Sequence, residues 1–167
     1  MIILNAILAL AGVAAVASVV NLFDRRVRPA ETVPMEVQLP GNLPIIALSN
    51  EKGNVMNFLL DSGSNISHIC AECFDDLGAE LLGTYEQGRV AGLGATNTGV
   101  TMCETTLFDV LGHKYKVNLS VSSQLSAVAD DIERNTGVRI HGLLGTDFLK
   151  EHNYVIDFKS LEVYSKK

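Results

Sequence analysis

Residues 55–63 read Val-Met-Asn-Phe-Leu-Leu-Asp-Ser-Gly, an apolar run closed by a carboxylate and two small residues. An apolar run of this length, bounded by turn residues, becomes a buried strand. A carboxylate at its end is costly unless it is hydrogen-bonded. Asp61 therefore needs a reason. Gly63 lets the chain bend tightly and turn backbone N–H groups toward Asp61. The plainer reading is that Asp-Ser-Gly is ordinary turn chemistry at a strand end.

The rest of the chain carries the punctuation of a small β protein. "PIIALS" and "VMNFLLD" are apolar runs separated by the turn "NEKGN". "AECFDDLGAELL" places Phe74, Leu77 and Leu81 at helical spacing and predicts a short helix. "GRVAGLGATNTGVTM" predicts a glycine-spaced hairpin with Gly92, Gly94 and Gly99 around its tip. A second hairpin turns at residues 111–114, and "SAVADDIERNTG" reads as a loop or a frayed helix. "RIHGLLGTDFLKEHN" predicts a buried strand, a glycine turn and a short helix, and "YVIDFKSLEVYS" a closing hairpin.

Ahead of these elements lie 23 residues without a charged side chain, from Met1 to Phe23. As a helix this stretch spans roughly 34 Å, enough to cross the hydrocarbon of a bilayer. "AVAS" near its end resembles a signal-peptide cleavage site, but no basic residue precedes the run and Arg25, Arg26 and Arg28 follow it. The pattern favours an uncleaved anchor over 1–23, a linker over 24–37 and a domain over 38–167 on the cytoplasmic side. All four prolines fall within residues 29–44. The net charge is -6, and because residues 1–28 carry three arginines against Asp24, a charge of -8 falls on the remainder. A domain so acidic and without a basic cluster is a poor ligand for phosphates, which excludes nucleic acid as a partner.

"LLDSG" and the later "GLLGTDFL" together resemble the single-domain aspartic proteases of the retropepsin-like group, over about residues 38–165. In that family an apolar strand delivers Asp-Ser/Thr-Gly, and a later apolar-apolar-Gly strand crosses behind it and leads into a short helix. The resemblance implies an all-β, retropepsin-like acid protease barrel with one or two short helices, here preceded by a transmembrane helix. It implies catalysis by Asp61, an active-site loop completed by Ser62 and Gly63, and a flap at Gly92, Leu93, Gly94 and Ala95 that closes on a peptide substrate. Gly142 and Gly145 correspond to the structural glycine turn, next to Asp147. The chain holds a single Asp-Ser/Thr-Gly, so the second carboxylate of the dyad comes from a second copy. A symmetric homodimer sets Asp61 against its own image. The closing hairpin is the expected interface. No cofactor and no resident metal are implied.

Cys70-Ala71-Glu72-Cys73 is the one feature that points elsewhere. As a redox pair it would place a thiolate at a helix start. With His68 and Cys103 it would make a four-ligand zinc set. The surrounding pattern is not thioredoxin-like and Cys103 stands alone, so buried, reduced structural cysteines are the favoured reading. Three function classes follow: a membrane-anchored homodimeric aspartic endopeptidase, a non-catalytic dimerisation or peptide-binding module on the same fold, and a thiol or zinc protein using Cys70 and Cys73.

Overall fold

The computed structural model describes residues 32–38, 42–85 and 100–165. The chain divides into two compact units, Met1–Ala30 and Glu31–Lys167. The expected anchor lies outside the described residues, as does the expected flap. Among the described residues no helix is long and apolar enough to cross a membrane.

Strands dominate, as the alternation predicts. In chain order they are β1 (Val33–Pro34), β2 (Glu36–Gln38), β3 (Leu43–Asn50), β4 (Val55–Leu60), β5 (His68–Cys70), β6 (Glu80–Tyr85), β7 (Val100–Phe108), β8 (Lys114–Ser122), β9 (Gly142–Leu144), β10 (Tyr154–Asp157) and β11 (Glu162–Ser165). A 3-10 turn at Ala71–Cys73 leads into helix α1 (Phe74–Leu77); α2 spans Ser123–Thr136 and α3 Thr146–Glu151. From Val33 onward the segment read as a linker is extended and already paired, β1 with β11 and β2 with β3.

The larger sheet runs β2-β3-β4-β9-β5-β8-β7-β6, and an added β3–β7 pairing closes β3, β4, β9, β5, β8 and β7 into a barrel. Its interior holds the alternate residues of each strand, with Ile46, Leu48, Met56, Phe58, Ile69, Leu119 and Leu144 almost fully buried. β9 is inserted between β4, to which it runs parallel, and β5, to which it runs antiparallel. The chain leaving β4 must therefore pass over the end of β9 to reach β5. That crossing segment is the Asp61–Ser67 loop.

Two sequence expectations need correction. The helix after β5 stops at Gly78, whose left-handed backbone (φ 68) ends α1. Leu81 then lies in β6 and is 62% exposed, so its helical spacing with Leu77 is coincidental. The acidic stretch read as a loop or frayed helix is a full 14-residue helix. The Ser122 side chain accepts from the Leu125 N–H at its start and Gly137 (φ 78) terminates it, while Leu125 and Ala129 carry its buried stripe. The closing hairpin exists, but β11 lies between β1 and β10, so both of its edges are filled within the chain. Among the described residues, the outer strands of this smaller sheet are β1 and β10.

Candidate active site

The parallel register Leu60↔Leu144 sets the ends of β4 and β9 side by side, so Asp61 emerges next to Gly145. The Asp61 N–H donates to the Leu144 carbonyl at 3.0 Å, which continues the ladder one residue past the strand. Asp61 is half-buried just past the end of β4, not sunk in the core as its apolar run suggests. Its Oδ1 accepts from the Gly63 N–H at 2.8 Å, and its carbonyl accepts from the Ser64 N–H at 3.2 Å. A Cβ at Gly63 would stand 3.0 Å from that same Oδ1, so a side chain there would press on the carboxylate.

Ser62 is exposed, and among the described residues the loop is fastened by its successors instead. The Ser64 carbonyl accepts from both the N–H (2.8 Å) and the hydroxyl (3.0 Å) of Thr146, and the Ser64 hydroxyl donates to the Ile66 carbonyl at 2.8 Å. Ser67, fully buried, is the second clasp. Its N–H donates to Asp147 Oδ2 at 2.8 Å, its hydroxyl donates to Oδ1 at 2.7 Å, and its oxygen accepts from the Gly145 N–H at 3.0 Å. Asp147, at the start of α3, is therefore the strap that ties the loop to the strand beneath it. The sequence placed Asp147 at the glycine turn without this partner, because the contact joins residues 80 positions apart.

The two glycines of the turn are there for close approach. A Cβ at Gly142 would meet the Phe58 ring at 2.5 Å and the His68 carbonyl at 2.7 Å. At Gly145 it would meet the backbone of Ile66 and Ser64 at 2.7–2.9 Å. Only glycine lets β9 lie directly under the crossing loop.

His68, the first residue of β5, is buried, and its Nδ1 has no partner among the described residues. Burial pushes its pKa down, against the opposing pull of the Asp147 and Asp61 charges. It is thus neutral at pH 7 beside the loop.

The zinc set proposed from sequence does not assemble. Cys103 is wholly buried on β7 with its Sγ directed to the Leu119 carbonyl, and among the described residues neither it nor His68 joins the ligand cluster of Cys70 and Cys73. Cys70 and Cys73 are free and buried, and burial pushes the Cys70 thiol up to about 12 and the Cys103 thiol to about 11. Thiols held protonated at neutral pH are poor nucleophiles, which argues against the redox reading. Gly92, Leu93, Gly94 and Ala95 lie outside the described residues, although the strands flanking them pair antiparallel up to Tyr85↔Val100.

The chain matches no protein-family model and no curated protein. Among solved structures, it is similar to the EIAV protease complexed with the inhibitor HBY-793 at 18% identity, covering 68% of this chain and 90% of that one, with a TM-score of 0.45. The retroviral protease-like domain of Ddi1 from Leishmania major is 14% identical, with 75% and 89% covered and a TM-score of 0.46. A retropepsin-like aspartic protease from Rickettsia conorii is 16% identical, with 80% and 87% covered and a TM-score of 0.47. What this chain can do chemically follows from its own loop.

Proposed function

We propose that the chain is an aspartic endopeptidase whose active site is completed by a second copy of itself. The observation that carries this reading is the Asp61–Ser67 loop. It holds one half-buried carboxylate past the end of β4, met by a backbone N–H and strapped across β9 by Thr146 and Asp147. A strand-end turn needs no such fastening. An active-site carboxylate that must meet another within hydrogen-bond reach does.

Two carboxylates about 3 Å apart cannot both ionise and share one proton. The charged member takes a proton from a water held between them, and that water attacks the peptide carbonyl. The protonated member supports the developing oxyanion, and a proton then passes to the leaving amine. The chain holds one Asp-Ser-Gly, so this chemistry requires Asp61 from each of two copies about a two-fold axis. Phe158 (53% exposed) and Leu161 (45%), both at the β10–β11 turn, are apolar and unpacked in the single chain. Leu161 also holds a left-handed backbone (φ 55), an outlier for a leucine. This turn is our choice for part of the dimer contact. The same account retains an N-terminal membrane anchor with the protease unit on the cytoplasmic side.

Asp61→Asn tests the reading. Asn is nearly isosteric and cannot act as the base, so cleavage of a peptide library should disappear while the fold and self-association persist. A non-cleavable peptide whose hydroxyl mimics the tetrahedral intermediate should bind wild type far more tightly than Asp61→Asn. Undiminished cleavage by the variant would remove Asp61 from the mechanism. A well-folded wild type that binds peptides without cleaving any would favour the non-catalytic module.

A further inference from the structure

The cysteine motif takes no part in the proposed chemistry, yet it gathers a donor set. One ligand atom each from Cys70, Glu72 and Cys73 lies within 4.8 Å of the others, and among the described residues no other such cluster of three occurs. We propose that Cys70, Glu72 and Cys73 form a site for a thiophilic divalent ion of the zinc type, with its fourth position open to solvent.

The geometry is close to what such an ion requires. Tetrahedral coordination with sulfur at about 2.3 Å and oxygen at about 2.1 Å sets ligand atoms about 3.6–3.8 Å apart. Rotations of side chains within one turn cover the difference. The two sulfurs are buried and the carboxylate is at the surface, so an ion would enter from the Glu72 side.

The charge balance also suits a cation. Both thiols are buried, so a cation held between them would meet little competition from water. A divalent ion offsets the charge of the two thiolates, the Glu72 carboxylate leaves the loaded site with one net negative charge, and loading releases the two thiol protons to solvent. The charges that bear on Cys73 are the carboxylates of Glu72 and Asp76 and the guanidinium of Arg139. Arg139 bonds Glu72 at 2.7 Å and also Asp130 and Glu133, each at 2.8 Å. When Glu72 turns to an ion, Arg139 keeps two carboxylate partners. Glu72 also gives up the Ser126 hydroxyl bond, so loading would remove one tie between the 3-10 turn and α2.

The test uses the full chain, reduced with a phosphine, and cobalt(II) as the optical probe. One equivalent should saturate a thiolate-to-cobalt charge-transfer band in the near ultraviolet, and one equivalent of zinc should displace it. Cys70→Ser or Cys73→Ser should abolish the band, Cys103→Ser should leave it intact, and Glu72→Gln should weaken binding about tenfold or more. Absence of a band in wild type, or its survival in Cys73→Ser, would overturn the proposal. If the cysteine variants fail to fold by circular dichroism, Glu72→Gln decides alone, since its side chain is exposed: unchanged affinity there would also overturn it.

Discussion

Removing the Asp147 carboxylate should loosen the catalytic loop by an amount that its hydrogen bonds set. In Asp147→Ala the N–H and hydroxyl of Ser67 both lose their acceptor, and Ser67 is fully buried. An orphaned buried donor costs about 1–3 kcal/mol, so the pair should cost about 2–6 kcal/mol. The Phe148 N–H, which also donates to Asp147 Oδ1, loses its acceptor too and adds to that cost. Asp147→Asn keeps one oxygen but turns an NH2 toward the other donor, so about 1–3 kcal/mol is expected. Ser67→Ala removes the acceptor for the Gly145 N–H and should cost a similar amount. Because all these bonds meet at one clasp, the double variant should be more stable than the sum of the singles predicts, with a coupling of about 1–2 kcal/mol. Urea unfolding of the unit Glu31–Lys167, followed by circular dichroism at constant m-value, measures each term. Peptide cleavage should fall further than the fraction folded does, since the clasp aims Asp61. An Asp147→Ala cost below about 0.5 kcal/mol, or strict additivity with Ser67→Ala, would refute the clasp.

Gly145→Ala would drive a methyl into the backbone of Ile66 and Ser64 and should destabilise by about 1–3 kcal/mol or more, with a displaced loop and reduced cleavage; wild-type stability and activity in that variant would contradict the close packing. Burial holds the pKa values of His68, His141 and His152 below the ordinary 6.5. The folded chain therefore binds fewer protons than the unfolded one, so stability is complete above about pH 6.5 and declines as pH falls toward the folded values. His141 is the main sensor, because its Nδ1 accepts the Asn57 N–H at 2.9 Å and a proton there would break that bond. Melting temperatures from pH 7 to 5 should fall, less steeply in His141→Gln; a flat wild-type profile would contradict this. Leu161→Asn suits the left-handed backbone better and removes an exposed apolar group, so it should leave the single chain as stable or slightly more so while weakening self-association in sedimentation. Unchanged association would move the interface elsewhere.

Much of the barrel was legible because its strands obey simple alternation. β3 and β4 meet at the turn read from "NEKGN", and β9, the glycine turn and α3 follow "GLLGTDFL". Helix α2 was hidden by its acidic composition, which masks Leu125, Ala129 and the cap at Ser122 unless the stripe and the cap are read together. Asp61, Gly63, Gly142 and Gly145 were identifiable as a constellation, but the Ser67–Asp147 clasp was not. Nothing local to "SNISH" shows which element its serine will reach; the partner emerges only once β9 lies between β4 and β5. The filled edges of β11 were likewise invisible, since they depend on where β1 returns.

The central claim is that two copies share one active site through Asp61. Wild type mixed with increasing amounts of Asp61→Asn, with subunits allowed to exchange and dimer content followed by sedimentation, tests it most directly. The account predicts that cleavage falls faster than dilution alone allows, as the square of the wild-type fraction at fixed total concentration, because every mixed dimer has one competent carboxylate. Cleavage proportional to the wild-type fraction, or specific activity that stays constant on dilution into the monomer range, would contradict it.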